Sequence, residues 1–260
     1  NILDVQGVEM MLASARKALF HFHFGMPSCV PATGFETSGA EVSHDEVAAL
    51  INDPMIYGLG EVMNVPGVLN HDSALMAKIG ATLAAGKLVD GHAPGLSGEA
   101  LKNYIAAGIS DDHEATTLAE AEEKIAAGMM IQIREGSAAC DLDALYQLFL
   151  HHGDSVMFCS DDKYPDETIN SGYINESVSR CIQRGMPLWN VLTAACVTPV
   201  RHYNLQHGLL QEGDPADFIL VDNLTEFGVT ETWIDGYCVY RNGEPTGRAD
   251  AGHCAQFPQC

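Results

Sequence analysis

Six short apolar runs recur along the chain, and each is followed by a polar or glycine-containing loop and then by an amphipathic helical pattern. Successive runs begin about 20–37 residues apart, a spacing typical of strand–helix units that build a parallel sheet. No block of helices alone or strands alone interrupts the series. The runs cover residues 18–24, 55–60, 87–90, 107–110, 129–133 and 156–160. This order predicts an α/β fold, either a doubly wound sheet or a (β/α)8 barrel.

The starts of two predicted helices carry capping-box sequences, in which a hydroxyl and a carboxylate three residues apart satisfy each other's backbone amides. One pair is Ser43 with Glu46, and the other is Thr117 with Glu120. No glycine-rich loop of the dinucleotide- or phosphate-binding kind follows any of the apolar runs. The barrel is therefore favoured over the doubly wound sheet.

The pattern changes after about residue 205. The segments GLLQEGDPADFILVDN and VTETWIDGYCVYRNGEP are typical of short strands separated by Gly and Asp turns. We therefore expect a barrel over residues 1–205, a small β domain segment over 206–245 and an irregular tail over 246–260.

Charge and composition restrict the partners that this chain can have. Its 13 Lys and Arg against 35 Asp and Glu give a net charge of −22. Such a surface repels nucleic-acid phosphates and anionic membranes, so neither is an expected partner. The sequence has no apolar run of about 18 residues and no signal-peptide pattern. Its eight cysteines are scattered without a CxxC motif. These features predict a cytoplasmic protein with reduced thiols.

Residues able to bind a metal or transfer a proton follow five consecutive apolar runs. They are Glu61, His92, the triplet Asp112-His113-Glu114, the pair Arg134-Glu135 and the pair Asp161-Asp162. In barrels of parallel strands, catalytic groups gather at the carboxyl ends of the strands. A single polar residue there is ordinarily just solvated, but five in succession favour a site.

The residue types at these ends indicate the chemistry. Imidazole together with carboxylate suits a borderline divalent ion such as Zn, Mn or Fe. No serine occupies a strand–turn–helix elbow such as GxSxG, which makes a Ser-His-Asp mechanism the weaker alternative. Metal-assisted hydrolysis is therefore the favoured reaction class.

Several blocks of sequence resemble the successive motifs of the bacterial and archaeal adenine deaminases, a family of the metal-dependent amidohydrolase superfamily. The blocks are PSCVPATGFETSGA, GLGEVMNVPGV, DGHAPGLSG, YIAAGISDDHE, MIQIREGSAA and FCSDD. The resemblance extends to about residue 243, where ADFILVDNL and WIDGYCVYRNG are similar to the β appendage of the superfamily. It implies a partial (β/α)8 TIM-type barrel, from about strand 3 to strand 8, followed by part of a small β-sandwich domain.

The resemblance also implies a set of metal ligands. Glu61 matches the carboxylate that bridges two metals, and His92 and His113 match the ligands on the next two strands. Asp161 matches the last-strand aspartate that binds metal and takes the proton of the attacking water. The implied cofactor is a divalent metal centre, binuclear Mn or Fe, with Zn as the alternative.

The implied reaction is the hydrolytic deamination of adenine to hypoxanthine and ammonia, a step of purine salvage. Asp161 is expected to shuttle the proton, with Glu114 as a second acid. Arg134, Glu135 and Ser137 are expected to line the purine pocket. The alternative for these residues is a salt bridge or a helix cap at the barrel rim.

Two histidines in the stretch ALFHFHFGMP have a spacing that also suits a metal site. His21 and His23 precede the block that follows the third strand in the family, whereas the family's HxH pair belongs to the first strand. We therefore expect both to line a pocket or to be partly buried, and not to bind the metal. The same comparison predicts that the chain lacks the first two strands and two ligands. Tyr173 stands where relatives usually have histidine.

Two alternatives to the adenine deaminase interpretation remain at this point. One is another amidohydrolase that acts on a different purine or on a cyclic amide, because a fold alone does not determine the substrate. The other is a catalytically silent, truncated chain. Under the first interpretation the partner is a small molecule, adenine, and homo-oligomerisation stays open.

Overall fold

The computed structural model describes residues 3–33 and 35–246. The predicted tail over 246–260 lies outside the described residues except for its first position. Six parallel strands run through the first 160 residues. They are β1 (Phe24–Met26), β2 (Ile56–Val62), β3 (Leu88–Gly91), β4 (Asp111–Asp112), β5 (Met130–Arg134) and β6 (Val156–Cys159). Strands β1, β2 and β3 pair in that order, and so do β4, β5 and β6.

The two groups of strands meet between β3 and β4. The backbone N–H of Ser110 donates to the carbonyl of Val89 at 3.0 Å, and the N–H of Met130 donates to the carbonyl of Ser110 at 3.0 Å. The six strands therefore follow one another in chain order, and their carboxyl ends lie at one common edge. Sheets of parallel strands alternating with helices confirm the α/β class predicted from the sequence.

Helices connect the strands, as the periodicity predicted. They are α1 (Asp4–Ala15), α2 (His44–Leu50), α3 (Val65–Leu69), α4 (Ser73–Ala84), α5 (Gly98–Ala106), α6 (Leu118–Ala126), α7 (Leu142–Leu145), α8 (Pro165–Ser171), α9 (Ile174–Gln183), α10 (Leu188–Leu192) and α11 (Thr198–His202), with a 3₁₀ turn at Tyr146–Leu150 and a π turn at Thr193–Val197. No helix within the described ranges is long and apolar enough to cross a membrane.

One of the two predicted capping boxes is confirmed and the other is only half formed. At α2, the Ser43 hydroxyl accepts the Glu46 N–H, and the Glu46 carboxylate accepts the Ser43 N–H at 2.6 Å. At α6, the Thr117 hydroxyl accepts the Glu120 N–H at 3.3 Å. The Glu120 carboxylate instead binds the buried ammonium of Lys124 at 2.7 Å and accepts the backbone N–H of Gly95 at 2.8 Å.

Two predicted strand positions are also corrected. Only Phe24 of the run 18–24 lies in β1, and β4 begins directly after the run 107–110. Phe20 and Phe22 are exposed, and the first pairing of β1 joins Phe24 to Ile56 of β2. An apolar run becomes a strand only where a neighbour supplies ladder hydrogen bonds, and that neighbour begins at Ile56.

Apolar side chains pack on the sheet in two buried groups. One joins β1, β2 and β3 to α2 and α4, and the other joins β5 and β6 to α6, α7 and α9. The first includes Met26, Ile56, Leu59, Val89, Val47 and Ile79, and the second includes Ile131, Ile133, Val156, Leu142 and Cys181. Burying a side chain of this size contributes about 1.5–3 kcal/mol each. The packing fixes the strands, and through them the residues at their carboxyl ends.

The last part of the chain that the structure describes forms a small antiparallel sheet. Its strands are β7 (Phe218–Val221), β8 (Val229–Ile234), β9 (Tyr237–Arg241) and β10 (Glu244–Pro245), in the order β10-β9-β8-β7. Asp235 and Gly236 turn the chain between β8 and β9 with φ of 50° and 75°. Positive φ at both turn residues matches the right-handed twist of a hairpin.

Candidate metal centre at the ends of the strands

Three side chains from three successive strands meet at the common edge. Glu61 lies near the end of β2, His92 directly follows β3, and His113 directly follows β4. The Nδ1 atom of His92 lies 2.9 Å from Oε2 of Glu61, and Nε2 of His113 lies 3.2 Å from the same oxygen. Residues expected to converge because of their strand-end positions are therefore brought together by the fold.

Tyr104 fixes two of these strand ends relative to each other. Its side chain is fully buried on α5. Its hydroxyl accepts the backbone N–H of His92 at 3.0 Å and donates to the carbonyl of Val62 at 2.8 Å. Because Val62 directly follows Glu61, one phenol holds both the carboxylate and the imidazole in register.

A buried ion pair holds the next strand end. The Nζ atom of Lys124 lies 2.8 Å from Oδ2 of Asp112 and donates to the carbonyl of Ala93 at 2.7 Å. The other oxygen of Asp112 accepts the N–H of Ala93 at 2.7 Å. Since Ala93 follows His92 and Asp112 precedes His113, this cluster ties the two histidine-bearing loops together.

Glu114 points back into the same group. Its Oε1 atom lies 3.5 Å from Nδ1 of His92 and 3.4 Å from Nε2 of His113. It also accepts a hydrogen bond from Arg134, the last residue of β5. Glu114 was predicted as a second acid, and its position also makes it a candidate ligand.

Asp161 lies beside this group, two residues after β6. One oxygen of Asp161, together with His113 and Glu114, forms a set of ligand atoms within 4.8 Å of one another. Arg134 donates to Oδ2 of Asp161 at 3.2 Å. The backbone of Asp161 has φ of 47°, a left-handed conformation that Asp tolerates better than most residues.

Electrostatics couple the first three residues. Hydrogen bonds from His113 and then from His92 hold the pKa of Glu61 well below its usual range, although burial opposes the shift. Burial alone would lower the pKa of His113, but its hydrogen bond to Glu61 and the charges of Glu61, Asp112 and Glu114 outweigh burial and raise it. The fold therefore stabilises Glu61 as a charged carboxylate that faces the ring nitrogens of His92 and His113.

This donor set fits a divalent metal ion. Ligand atoms about 2.0–2.1 Å from an ion in tetrahedral geometry lie about 3.3–3.4 Å apart, and the contacts among Glu61, His92, His113 and Glu114 span 2.9–3.5 Å. Two imidazoles with carboxylates are ligands of the borderline kind. His113 belongs both to this set and to the set that contains Asp161.

Two residues predicted to contact substrate have other partners in the structure. Glu135 binds Arg180 through one oxygen and accepts the N–H of Leu142 at 3.1 Å through the other. The Ser137 hydroxyl donates to Glu167 at 2.5 Å. The salt bridge, which was the alternative for Glu135, is present, and a substrate contact for either residue stays a prediction.

A cavity of about 400 Å³ opens beside the metal-binding group. Its lining includes Glu61, His113 and Asp161, and also the polar residues Tyr57, Asp90 and Gln132. Pockets for small ligands are typically of this size, with a few converging polar groups.

The polar floor of this cavity was missed in the sequence. Tyr57 donates to Asp90, and Gln132 donates to Asp111 at 3.2 Å and to the hydroxyl of Tyr203 at 2.9 Å. Burial, and then the charge of Asp111, raises the pKa of Asp90 well above its usual range. The signal was present: Asp90 precedes His92 by two residues, so the two can share one face of a strand.

His21 and His23 lie at the opposite end of the strands from Glu61. They precede β1, and the N–H of Phe24 donates to the carbonyl of Met55, directly before β2 begins. Nε2 of His23 lies 2.9 Å from Nε2 of His207. Partial burial, followed by the nearby His207 and His21, lowers the pKa of His23. Neither histidine belongs to the group around Glu61.

Comparison with protein families identifies a match to the amidohydrolase family over residues 1–239. Among curated proteins, the adenine deaminase of Salinibacter ruber is 51% identical over 244 residues, which cover 94% of this chain and 45% of that protein. The adenine deaminase of Methanosarcina mazei is 47% identical over 244 residues, covering 94% of this chain and 44% of that protein. The chain therefore spans less than half the length of these curated relatives.

Solved structures show the same fold at low sequence identity. The β-aspartyl dipeptidase of Fervidobacterium islandicum AW-1 superposes with a TM-score of 0.63 at 18% identity, covering 94% of this chain and 74% of that one. The N-acetyl-D-glucosamine-6-phosphate deacetylase of Mycobacterium smegmatis gives a TM-score of 0.65 at 15% identity, covering 91% and 71%. These likenesses concern the fold alone.

Proposed function

Because the chain belongs to the amidohydrolase family, we propose that it forms the larger part of the active site of a metal-dependent adenine deaminase. The reaction is adenine plus water giving hypoxanthine and ammonia. The observation that carries the proposal is the meeting of Glu61, His92 and His113 in a chain that is 51% identical to an adenine deaminase. A small molecule, adenine, is thus the proposed partner.

The proposed ligands are Glu61, His92, His113 and Asp161, which would together hold a binuclear centre's ions on this chain's side. Manganese or iron is the proposed ion, and zinc is the alternative. When bound, a divalent ion lowers the pKa of a coordinated water towards neutrality. His113 contacts Glu61, and its ligand atom also belongs to the set that contains Asp161. This overlap supports a site in which the four proposed ligands act together.

In the proposed reaction, side chains of this chain transfer the proton. Hydrolytic deamination places the oxygen of water on C6 and releases the amino nitrogen as ammonia, so a proton must pass from the water to the leaving nitrogen. Asp161 lines the cavity and is partly exposed, which suits a carboxylate that exchanges protons with a ligand. Glu114 is the proposed second acid, and Arg134 contacts both carboxylates and holds them in place.

Substrate contact is proposed at the rim formed by Arg134, Glu135 and Ser137. Arg134 is the best supported of the three, because it lies against Asp161 at 3.2 Å. Glu135 and Ser137 support the rim through their own contacts, to Arg180 and Glu167. They act on the substrate only if those contacts rearrange.

At the level of the fold, we infer that β1 to β6 are strands 3 to 8 of a (β/α)8 barrel. Their parallel order along the chain supports this. The proposed barrel covers residues 1–205. The antiparallel strands β7 to β10 lie within the proposed β domain segment over 206–245 and form part of a small β-sandwich.

The test uses the protein expressed from its complete reading frame, since this chain spans less than half of its relatives' length. Metal-loaded protein is incubated separately with adenine, guanine and cytosine, and ammonia and the ring products are quantified. Hypoxanthine from adenine, lost on chelation and restored by added metal, is the expected result. Turnover of guanine or cytosine alone, or of none of the three, would overturn the proposal.

A further inference from the structure

His21 and His23 lie in a second group of potential metal ligands, at the end of the strands opposite the candidate metal centre. The ligand atoms of His21, His207 and Asp217 all lie within 4.8 Å of one another. We propose that these three residues form a structural site for a divalent transition-metal ion, with zinc as the best-fitting ion and His23 as the residue that orients His207. This reverses the sequence-based expectation that His21 is not a ligand.

The separations match those of ligands around one ion. Nε2 of His21 lies 3.2 Å from Oδ2 of Asp217, and Nδ1 of His207 lies 3.4 Å from the same oxygen. Ligand atoms about 2.0–2.1 Å from a tetrahedral zinc ion lie about 3.3–3.4 Å apart. Two imidazoles and one carboxylate leave a fourth position for water or a further oxygen ligand.

His23 selects the ring nitrogen that His207 offers. Nε2 of His207 lies 2.9 Å from Nε2 of His23. If this nitrogen of His207 carries the proton, it donates to His23, and the lone pair of Nδ1 is directed at Asp217. Histidine ligands generally use their other ring nitrogen in such a hydrogen bond, which fixes their tautomer and ring orientation.

The backbone of the β8–β9 turn orients Asp217. The N–H of Asp235 donates to Oδ1 of Asp217 at 2.7 Å, which leaves Oδ2 facing the histidines. The carboxylate of Asp235 itself lies 3.4 Å from Nε2 of His21 and is half exposed. It can therefore supply the fourth ligand by rotating its side chain.

Two atoms at the centre of the group lack hydrogen bonds. Nε2 of His21 and Oδ2 of Asp217 are both buried, and neither has a hydrogen-bond partner in the part of the chain that the structure describes. Buried polar atoms are normally satisfied, so such a pair indicates a missing partner. An ion between them would satisfy both.

The surroundings permit an ion to enter and to remain. A cavity of about 290 Å³ opens at His21, His23 and His207. Arg16 also lines this cavity, but its guanidinium is paired with Asp53. The net charge around the site is therefore set by Asp217 and Asp235, which favours a cation.

An ion at this position would join distant parts of the chain. His21 precedes β1 of the parallel sheet, whereas Asp217 directly precedes β7 of the antiparallel sheet. Zinc would fasten the two sheets at the end opposite the candidate active site. Because the ion binds only the folded arrangement, it would raise the melting temperature as the free zinc concentration rises above the dissociation constant.

The test separates this site from the candidate metal centre. The metal-free chain carrying His92→Gln and His113→Gln is titrated with Zn²⁺, and the bound metal is measured by elemental analysis after desalting. One equivalent should remain bound, and zinc should raise the melting temperature. Adding His21→Gln and His207→Gln should remove that equivalent. His44→Gln, at an exposed histidine beside Asp45, is the matched control and should retain it.

A further variant tests the role of His23. In the same background, His23→Gln should weaken zinc binding about 10- to 100-fold without abolishing it, as expected for a residue that orients a ligand. The proposal is wrong if the background variant binds no zinc, or if it keeps a full equivalent after loss of His21 and His207. Should the background variant fail to fold, long-range ¹H–¹⁵N spectra of the unmodified chain decide. Zinc must then shift the ring nitrogens of His21 and His207, and unchanged signals would overturn the site.

Discussion

The Nε2 atom of His113 lies 3.2 Å from Oε2 of Glu61, although β3 separates the strands that carry them. The two side chains meet across the end of β3 because both project from the carboxyl edge of the sheet. Hydrogen bonds from His113 and His92 keep the pKa of Glu61 below its usual range. Glu61 is therefore a charged acceptor at neutral pH, placed where an ion would contact both imidazoles.

Replacing Glu61 by Gln should remove the charge that draws a cation between the histidines. We expect Glu61→Gln to lose at least one equivalent of divalent metal when the full-length protein is desalted, and to lower its melting temperature measured without metal at neutral pH, because the fold stabilises the charged carboxylate. Elemental analysis measures the first quantity and circular dichroism the second. Glu99→Gln, at an exposed glutamate of α5, is the control. Equal metal content in the two variants would contradict the assignment of Glu61 as a ligand.

Asp90 should make the stability of the chain depend on pH. Burial and the charge of Asp111 raise the pKa of Asp90, so the folded state holds a proton that the unfolded state releases above about pH 3.9. The stabilisation is complete below that pH and is lost as the pH rises through the raised folded-state pKa. Asp90→Asn, which keeps the shape without the charge, should therefore raise the melting temperature at pH 8 and have less effect at pH 4.

Thermal unfolding of the metal-free chain between pH 4 and pH 8 measures this difference. Asp45→Asn alters an exposed aspartate and should leave the pH profile unchanged. An Asp90→Asn profile parallel to that of the unmodified chain would show that Asp90 does not take up a proton on folding.

The hydroxyl of Tyr104 should contribute to stability through two hydrogen bonds. Tyr104→Phe leaves the N–H of His92 and the carbonyl of Val62 without their partner in the fully buried interior. The expected loss is about 1–3 kcal/mol in the free energy of unfolding, measured by urea denaturation. Tyr164→Phe, at an exposed tyrosine, should change it by less than about 0.5 kcal/mol. Similar losses in the free energy of unfolding for both variants would show that the Tyr104 hydroxyl does not stabilise the strand ends.

The strand-end residues could be predicted because they depend on local pattern. An apolar run marks each strand, and parallel strands place their carboxyl ends at one edge. These two facts place Glu61, His92 and His113 at one edge of the sheet, whereas their selection as ligands came from the family resemblance. The limits of β1 did not follow, because residues 18–23 alternate apolar side chains with His21 and His23 as a strand would, but the pairing with β2 begins only at Phe24.

The sequence pattern could not predict contacts between residues that are far apart along the chain. Glu135 pairs with Arg180, and no periodicity links a strand end to a helix 45 positions later. His21 meets His207 and Asp217, which lie far along the chain from it, so no local pattern links the three residues. Asp90 was missed for a different reason, since it is the last residue of the run 87–90, where an aspartate is more typical of a solvated strand end than of a buried network.

Arg134 should stabilise the candidate site through the shape of its guanidinium as well as its charge. Its Nε donates to Asp141 at 3.1 Å, while Nη1 donates to Asp161 at 3.2 Å and also contacts Glu114. Lysine keeps the charge but has no planar fork with which to bind several carboxylates at once. Arg134→Lys should therefore cost about 1.5–3 kcal/mol in the free energy of unfolding. Arg134→Met leaves Glu114 and Asp141, which are 14% and 12% exposed, without this cation and should cost about 3 kcal/mol.

Urea denaturation of the metal-free chain measures both losses. The control pair is Arg241→Lys and Arg241→Met, at an arginine half exposed on β9 that binds Glu231 at 3.0 Å. A single exposed pair contributes about 0–1 kcal/mol, so both control variants should stay near the unmodified chain. If Arg134→Lys matches its control, the charge alone holds Glu114 and Asp161. If Arg134→Met also matches its control, the guanidinium does not hold them at all, and the proposed proton-transfer pair loses its support.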